Sequence, residues 1–455
     1  MFLSLAYDCW VQEQVGNALV NVVEGYMIET GRRTVTPELA ENTVYNPDLS
    51  YTWYVDYFKG KEHENYIGSD LEFGTVVVSI IHEQDEGHKN IRAIIRTKHC
   101  DVTSLIPKAD FGTNTFKKTS VREIVRTACP ALADKLPKVN YKLIKNPALH
   151  LELENFETKQ VIKNYKIGVL YCKEGQSQED EMFCNEYGSE AFEQFLDFLG
   201  DRVELNGWKK YRAGLDVNGG STGTHSVHTQ WNGGEIMFHV STLLPFTPGD
   251  PQQIERKRHL GNDILMIVFK EGNGPPFSPN TITSEFNHVF AVITPTEIDG
   301  SDLRLSGGTT PRRLAADEDE ESPRSNRFTA KGPAAAAAAE NKSKAARMSR
   351  SPPRRRKQDN AISKDKGSRK SVMTRSPTKK DKEVAYRVAI TRKDGVPLYG
   401  PHFEGDVFPR NQQFRDFLFY KLTNGERAAY DAPIFNRKMT RVRAELLKHL
   451  EKTFA

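Results

Sequence analysis

Two regions of the chain show regular patterns of apolar and polar residues. In the first, LEFGTVVVSIIHE (residues 71–83) and NIRAIIRTK are rich in β-branched residues and are separated by EQDEGHK, which predicts two strands joined by a turn. The next segment, SVREIVRTA, has Ser120 three residues before Glu123, and this capping box predicts a helix. We therefore predict a small α+β domain over residues 51–155, after a partly disordered segment, residues 1–50.

The second region combines continuous apolar runs with amphipathic helices. The helix SEAFEQFLDFLG has Ser189 as its N-cap and Gly200 directly after its last apolar residue. The runs KIGVLYCK, EIMFHVS, ILMIVFK, HVFAVI and YRVAITRK are continuous, as in a central sheet that is covered on both faces. Two more amphipathic helices, at residues 413–422 and 441–450, follow the last run. The pattern predicts an α/β layer domain over residues 156–455.

A long segment of different composition interrupts this domain. Between residues 300 and 383 the only aromatic residue is Phe328, six alanines follow one another at 334–339, and Ser-Pro pairs alternate with Arg/Lys clusters. Such a segment cannot bury enough apolar area to offset its chain entropy, which predicts a disordered insert. Because strands are predicted on both sides of it, we interpret the insert as a loop between two strands of one domain.

The insert also contributes most of the excess basic charge. The chain has a formal net charge of +4, but residues 301–384 contain 22 Lys and Arg against 11 Asp and Glu, so the remainder is net acidic. The motifs SPRS, RSPPRRRK and TRSPTKK predict phosphorylation by proline-directed or basophilic kinases, for example at Ser351 and Ser376. The same segment would suit non-specific binding to nucleic acid or to an anionic membrane. A solvated loop with no dedicated partner is an equally good interpretation.

Several classes of protein are disfavoured by composition. The five cysteines form no CxxC pair and lie mostly in apolar segments, which is typical of reduced thiols in a cytosolic protein. The first residues, MFLSLAYDCW, lack the basic region of a secretory signal. No apolar run approaches the roughly 20 residues of a membrane-spanning helix. We predict a cytoplasmic protein without a transmembrane segment, with peripheral attachment to membranes left open.

Three motifs that resemble chemical sites are weak in their context. GGSTG (219–223) fits G-x-S-x-G, but a strand-like segment follows it, so a glycine-rich hairpin turn is the better interpretation. His225 and His228 would lie on opposite faces of a strand and make poor joint metal ligands. No G-x-x-x-x-G-K-[ST] motif is present. We therefore predict no metal, no cofactor and no nucleotide bound by the chain itself.

The most polar stretch, TPGDPQQIERKRHLGND, lies directly before the apolar run ILMIVFK. Asp250 as N-cap, Pro251 in the first turn and Gln253 in a capping-box position predict a helix. If this helix extends to the end of the stretch, His259 and Asn262 share one of its faces. An Asn after Gly at a helix end is commonly only a cap. The alternative is a carboxamide that is delivered, beside cationic groups, to a phosphate-bound water.

Long stretches of the chain resemble the Rap GTPase-activating protein family. QQIERKRHLGNDILMIVF, PFSPNTITSEFNHVFAVI and GLDVNGGSTGTHSVHTQWNGGEIMFHVSTLLPFTPGD are similar to its catalytic domain, and KGKEHENYIGSDLEFGTVVVSI is similar to its dimerisation domain. The resemblance covers roughly residues 24–294 and residue 384 to the C-terminus. It implies a two-domain body, with a small α+β dimerisation domain and a G-domain-like α/β catalytic domain, and it implies a homodimer.

The resemblance also implies a function and a set of site residues. It implies a GTPase activator, not itself an enzyme, that accelerates GTP hydrolysis by a Rap-type small GTPase. Asn262 matches the family's asparagine thumb, whose carboxamide enters the partner's nucleotide site and positions the attacking water. His259, Arg258, Lys257 and Arg256 match positions that support activity or binding. The family uses no arginine finger, and GTP and Mg²⁺ are carried by the partner GTPase.

Two other hypotheses remain at this stage. The partner could be a related small GTPase of the Rheb or Ral type, since the thumb does not by itself select Rap. The chain could instead be a scaffold or adaptor that acts through its basic insert, with a catalytically idle body. For the activator we expect no specific nucleic-acid partner, whereas an adaptor of this kind could bind nucleic acid.

Overall fold

The structure is a computed structural model, and most of the predicted insert, 300–383, and of the N-terminal segment, 1–50, lies outside the residues that it describes. The described residues are 19–30, 49–85, 88–111, 119–299, 382–403 and 405–455. Within them, no helix is long and apolar enough to cross a membrane.

Two sheets and the helices packed on them make up the described part of the chain. The strands are β1 (Tyr26–Glu29), β2 (Glu64–Asp70), β3 (Gly74–Asp85), β4 (His88–Arg96), β5 (Asp101–Pro107), β6 (Lys142–Ile144), β7 (Asn164–Cys172), β8 (Asp201–Glu204), β9 (His225–Trp231), β10 (Gly234–Val240), β11 (Leu265–Lys270), β12 (Val289–Asp299), β13 (Lys382–Lys393) and β14 (Val407–Pro409). The α-helices are α1 (Leu49–Tyr57), α2 (Val121–Ala128), α3 (Ala148–Gln160), α4 (Glu179–Phe183), α5 (Glu190–Leu199), α6 (Ile254–Leu260), α7 (Gln412–Ala429) and α8 (Pro433–Phe454).

The smaller sheet is antiparallel, with the strand order β5-β4-β3-β2-β6. On one face, α2 buries Ile124 and Val125 against it. On the other face lie α1, α3 and the C-terminal half of α8, which contributes Leu447 and Leu450. The predicted capping box is confirmed, because the Ser120 side chain accepts from the Glu123 backbone N–H and the Glu123 carboxylate accepts from the Ser120 N–H.

The larger sheet is mixed, with the strand order β1-β13-β12-β11-β7-β10-β9-β8 and with β14 paired to β13. Its four central strands, β12, β11, β7 and β10, run parallel, and the outer pairs are antiparallel. Helices α5 and α7 cover one face, and α4 and α6 cover the other. The prediction of a central sheet that is covered on both faces is therefore confirmed.

The strands on either side of the insert are neighbours in this sheet. β12 and β13 pair antiparallel from Val289 opposite Arg392 to Asp299 opposite Lys382. The insert thus joins two adjacent strands of one sheet, as predicted. Its predicted end at residue 383 is too late, however, because Lys382 is already paired, and cross-strand hydrogen bonds can extend a strand into a polar sequence that lacks an apolar pattern.

The last two helices are much longer than predicted, since α7 runs to Ala429 and α8 to Phe454. Gly425 lies in the interior of α7, a position that glycine normally disfavours. In the structure a Cβ at Gly425 would lie 2.8 Å from the Tyr399 hydroxyl oxygen and 3.1 Å from a Leu265 methyl group. Glycine therefore allows α7 to approach the sheet closely, and this packing outweighs its low helix propensity.

Candidate functional site

The polar stretch TPGDPQQIERKRHLGND forms α6 and the turns on both sides of it, and the helix begins later than predicted. The N-cap position is held by Gln253 in a left-handed conformation, with φ of 47°, and not by Asp250. Asp250 still accepts a hydrogen bond from the Ile254 N–H at 2.9 Å, and this bond is the main cause of the lowered pKa of its carboxyl. The Gln253 side chain instead exchanges two hydrogen bonds with the backbone of Thr247.

The helix also ends earlier than predicted, so Asn262 does not lie on it. α6 stops at Leu260, and the Asn262 N–H donates to the His259 carbonyl at 3.1 Å as the chain turns toward β11. The turn occurs here because Asp263 is fully buried and begins the approach to the sheet. Residues 261–263 therefore form a tight turn, which we call the Asn262 turn.

A buried side chain from a neighbouring loop holds both ends of the Asn262 turn. Asn287 is fully buried, and its Nδ2 donates to the Leu260 carbonyl at 2.9 Å and to the Asp263 carbonyl at 2.6 Å. One amide group therefore bridges the residue before the turn and its last residue. Because buried carbonyls need hydrogen-bond donors, Asn287 satisfies two acceptors and fixes the spacing between them.

The two carbonyls in the middle of the turn are held as well. The Ser284 hydroxyl donates to the Gly261 carbonyl, and the Lys166 ammonium donates to the Asn262 carbonyl at 2.6 Å. Four consecutive carbonyl groups thus accept from side chains that come from β7 and from the loop before β12. The backbone beneath Asn262 is fixed from several sides, although the residue itself lies at the surface.

A buried cluster of ionisable groups lies under the turn. The Asp263 carboxylate is 2.8 Å from His239 Nδ1 and 3.4 Å from the Lys166 ammonium, while His239 Nε2 is 3.1 Å from the Ala213 carbonyl oxygen. Glu426 on α7 is buried nearby, and burial, followed by the charge of Asp263, raises its pKa to about 8. The sequence analysis assigned none of these groups a role, because their burial depends on partners far along the chain.

Asn262, in contrast to this cluster, is exposed. Its Nδ2 donates to the Arg258 carbonyl at 2.6 Å. No described residue forms a hydrogen bond with its Oδ1. A carboxamide is both donor and acceptor, so this side chain presents an acceptor to a partner from a fixed backbone.

Arg256 is one of the predicted support residues, but it does not reach the surface. It is 1% exposed, and its guanidinium donates to the carbonyls of Phe183 at 2.8 Å and Asn185 at 2.7 Å and also to those of Leu244 and Pro245. Burial lowers the pKa of this guanidinium. Direct contact of Arg256 with a partner is excluded by this geometry, and its side chain instead ties α6 to α4 and to the loop after β10.

Lys257 is partly buried and is already paired within the chain. Its ammonium lies 3.0 Å from a Glu179 carboxylate oxygen and 2.6 Å from one of Asp180. Burial acts to lower the pKa of Lys257, but the hydrogen bonds and charges of these two carboxylates outweigh it and raise the pKa. Lys257 therefore links α6 to the start of α4 and offers little free charge.

Arg258 and His259 lie between the helix and the surface. Arg258 is the most exposed cation of α6, with 68% of its side chain accessible, and it pairs with Glu255 at 2.9 Å. His259 is half-buried, and its ring centroid lies 5.4 Å from that of His239. Burial, and then the charge of His239, lowers the pKa of His259. An imidazole with a lowered pKa and an exposed cation thus flank the Asn262 turn.

A cleft of about 360 Å³ opens beside the turn. The residues that line it include Asn262, Glu179 and Phe286, of which Phe286 is 46% exposed. The cleft is shallow and partly polar. It resembles a contact surface more than an enclosed pocket for a small molecule.

The weaker motifs do not form, among the described residues, the sites that their sequences resemble. The GGSTG segment is a loop in which the Ser221 hydroxyl donates to the Asp216 carboxylate at 2.8 Å, and no strand-to-helix elbow is present there. On β9, His225 is exposed and His228 is buried. No group of three His, Cys, Asp or Glu side chains among the described residues could hold a metal ion.

The candidate site is thus an exposed asparagine in a braced turn after a short helix, beside an open cleft. A second, antiparallel sheet with its own helices accompanies the mixed sheet that carries the site.

Comparison with known proteins gives the family. Residues 182–444 match the Rap/ran-GAP domain, and residues 50–141 match the Rap/Ran-GAP protein dimerization domain. Since the first match alone covers more than half of the chain, the chain belongs to the Rap/Ran-GAP family of GTPase-activating domains. The resemblance noted in the sequence is thereby confirmed, together with the two-domain α/β and α+β fold class.

The relatives are considerably longer proteins. The chain is 33% identical over 453 residues to mouse "Signal-induced proliferation-associated 1-like protein 3", covering 95% of this chain and 20% of that protein. It is 32% identical over 443 residues to zebrafish "GTPase-activating Rap/Ran-GAP domain-like protein 3", covering 96% of this chain and 34% of that protein. A solved structure, "Structure of the TSC2 GAP domain", matches 61% of this chain and 99% of its own at 24% identity and a TM-score of 0.35. The chain thus spans a fifth to a third of the length of these two relatives.

Proposed function

We propose that this chain activates a Rap-type small GTPase by placing the Asn262 carboxamide in the partner's nucleotide site. One observation carries the proposal: Asn262 is exposed, yet all four carbonyl groups from Leu260 to Asp263 are held by side chains. A cap residue needs no such support. A side chain that must meet a water molecule inside another protein does need it, because small displacements are costly in rate.

A carboxamide side chain is suited to the proposed role in GTP hydrolysis. GTP hydrolysis in small GTPases is limited by positioning and by electrostatic stabilisation, and an activator can contribute about 10⁵-fold. The free Oδ1 of Asn262 can accept a hydrogen bond from the attacking water while Nδ2 donates to another oxygen. The partner supplies GTP and Mg²⁺, and this chain needs no cofactor of its own.

The neighbouring side chains then have different tasks. Arg258 can meet an acidic partner surface and speed association, an effect that weakens with salt. Arg256 and Lys257 support the site indirectly by fastening α6 to α4. His259 packs against His239 beneath the turn and helps to set its position.

Two finer features belong to the same proposal. We assign the Rap type on the resemblance of the α6 stretch, with a Rheb- or Ral-type GTPase as the alternative. The match to a dimerisation domain supports a homodimer, and a cytoplasmic location is part of the proposal. Kinase regulation through Ser351 or Ser376 in the basic insert is a further prediction.

Single-turnover GTP hydrolysis with purified Rap, Rheb, Ral and Ras proteins tests the proposal. We expect strong acceleration of Rap and a loss of up to about 10⁵-fold in Asn262→Ala, with thermal unfolding unchanged. Asn164→Ala, an exposed asparagine at the start of β7, is the matched control. Full activity of Asn262→Ala would refute the thumb assignment, and acceleration of Ral or Rheb alone would refute the Rap assignment.

A deletion distinguishes activation from the adaptor hypothesis. Residues 301–380 are replaced by a short Gly/Ser linker, which leaves β12 and β13 intact because their pairing ends at Asp299 and Lys382. We expect the deleted chain to retain GTPase activation, since loop length has a small effect on stability. If the deletion abolishes the function while Asn262→Ala does not, the adaptor hypothesis is correct.

A further inference from the structure

The C-terminal helix α8 has one face that packs on the protein and one that faces solvent. Leu447 and Leu450 are buried against the smaller sheet, and Arg443, on the same side, pairs with Asp101. The opposite side carries a series of cations, which we call the basic face of α8. Its exposed basic residues are Arg437, Lys438, Arg441, Lys448 and Lys452.

The charge of the basic face is not neutralised within the described part of the chain. None of its five cations forms an ion pair with a described residue, and Glu445 is the only exposed carboxylate on the helix. The second acid of α8, Glu451, accepts hydrogen bonds from Ser69 and Thr75. Glu445 lies within the same stripe, four residues after Arg441 and three before Lys448, so the stripe sets five cations against one exposed carboxylate. With a rise of 1.5 Å per residue, the stripe is roughly 23 Å long from Arg437 to Lys452.

This concentration contrasts with the rest of the body. Helix α8 contains six Lys and Arg against two Asp and Glu, whereas the chain outside α8 and outside residues 301–384 contains 36 against 47. An ordinary solvated surface mixes both signs of charge. A basic stripe on an acidic body instead indicates an anionic partner.

Aliphatic side chains lie among these cations. Ile434 and Val442 are each 51% exposed and lie on the basic face, and Met439 beside it is 45% exposed. Since residues 434, 438 and 442 follow one another at intervals of four, Ile434, Lys438 and Val442 form a single row. The surface thus offers positive charge and apolar groups together.

We propose that the basic face of α8 binds an anionic lipid surface. Each Lys or Arg near such a surface adds about 1 kcal/mol of attraction, and exposed aliphatic groups gain free energy by entering the headgroup region. A phosphodiester backbone would use the cations but has no apolar layer for Ile434 and Val442. Two copies of the same face would repel each other.

The first turn of α8 lies close to the cleft beside Asn262. The Phe435 ring in its first turn lies 6.2 Å, centroid to centroid, from the ring of Phe286, which lines the cleft beside Asn262. Lipid binding through α8 would therefore hold the Asn262 turn close to the membrane. This consequence rests on the proposed function, whereas lipid binding itself does not.

Flotation with vesicles tests the proposal on the full chain. The probes are vesicles of phosphatidylcholine alone and of phosphatidylcholine mixed with phosphatidylserine. We expect the triple variant Arg437→Glu, Lys438→Glu, Arg441→Glu to lose at least about tenfold in affinity for the anionic vesicles. The control variant Lys138→Glu, Lys145→Glu, Lys163→Glu changes three exposed, unpaired lysines elsewhere, so it has the same net charge and the same basic insert.

The outcomes separate lipid binding from the alternatives. Selective loss in the α8 variant, with a smaller loss in Ile434→Ser, Val442→Ser that persists at high salt, supports the proposal. Equal affinity of the α8 and control variants overturns it, because net charge alone or the insert then explains binding. The proposal is also overturned if the α8 variant loses affinity for a DNA duplex but still binds the vesicles. It is likewise overturned if sedimentation shows that the α8 variant has a changed oligomeric state.

Discussion

Each of the two domains buries a cluster of ionisable groups, and the clusters differ in what they face. In the smaller domain, Arg96 is fully buried and donates to Glu157 at 2.5 Å and to Ser79 at 2.8 Å. In the larger domain, Asp263 and its partners lie directly beneath the exposed Asn262. The first cluster is enclosed within the protein, whereas the second lies next to the solvent-exposed side chain of Asn262.

Buried ionisable groups restrict the surrounding structure in both domains, but they restrict a different part of it in each. A buried charge is tolerated only when it is paired and hydrogen-bonded, so either cluster restricts its surroundings to one arrangement. In the smaller domain that restriction fixes how α3 packs on the sheet. In the larger domain it fixes the backbone of the Asn262 turn. Substitutions in the first cluster should change stability alone, and those in the second should also change activity.

The largest expected effect on stability is that of Arg96→Ala. Glu157 would be left buried without its partner, and burial already raises the pKa of its carboxyl in the presence of Arg96. We expect a loss of about 3–5 kcal/mol in the free energy of unfolding, measured with urea. Arg122→Ala, an exposed arginine on α2, should be nearly neutral. A loss below about 1 kcal/mol would show that the Arg96 cluster does not fix how α3 packs on the sheet.

Glu426 gives the second cluster a dependence on pH. Its folded pKa of about 8 lies above the unfolded value of 4.5, so the folded state binds more protons between these values and stability falls as pH rises through this range. We therefore expect the free energy of unfolding of Glu426→Gln to exceed that of the wild type by an amount that grows with pH. Between pH 4.5 and about 8 this difference should grow by up to about 1.4 kcal/mol per pH unit.

Unfolding free energies of the two proteins, measured from pH 5 to about 8, check this slope. The groups that face Glu426 are Asp263, Lys166, Arg427, Tyr211 and Tyr430. All of them are present in both proteins, so the difference between the two curves reports Glu426. A constant difference at every pH would show that Glu426 is ionised in the folded state.

Asn287→Ala tests whether the turn needs its support. The carbonyls of Leu260 and Asp263 would lose their donor, which should cost about 1–3 kcal/mol of stability. If support serves positioning, the maximal rate of GTP hydrolysis should fall up to about 100-fold while the affinity for the GTPase changes little. A loss of affinity at an unchanged maximal rate would contradict a positioning role.

The smallest effect is expected for Arg258→Ala. Its pair with Glu255 is exposed, and such pairs contribute about 0–1 kcal/mol. We expect unchanged stability, with a modestly slower association with the GTPase that is most visible at low salt. Stopped-flow association at two salt concentrations measures it. A salt-independent loss would assign Arg258 a short-range contact instead.

The sequence by itself determined the local elements and the family. Apolar runs and caps indicated β3, β4, α2, α5 and five strands of the larger sheet, β7, β10, β11, β12 and β13, because periodicity and capping act over a few residues. The residues of the α6 stretch marked it as the most polar part of the chain, and its assignment as the functional region came from the family resemblance. The thumb role of Asn262 remains a prediction from the resemblance.

Only the tertiary structure decided which polar groups are buried and what they hold. Arg256 and Arg258 are both basic residues of one helix, yet one is 1% exposed and the other faces solvent. The groups around Asp263 come from β7, β10 and α7, and Glu426 follows Asp263 by more than 150 residues. Such partners are brought together by sheet order and helix packing. Neither sheet order nor helix packing has a short-range pattern in the sequence. The burial and hydrogen bonding at the site could therefore not be predicted from the sequence.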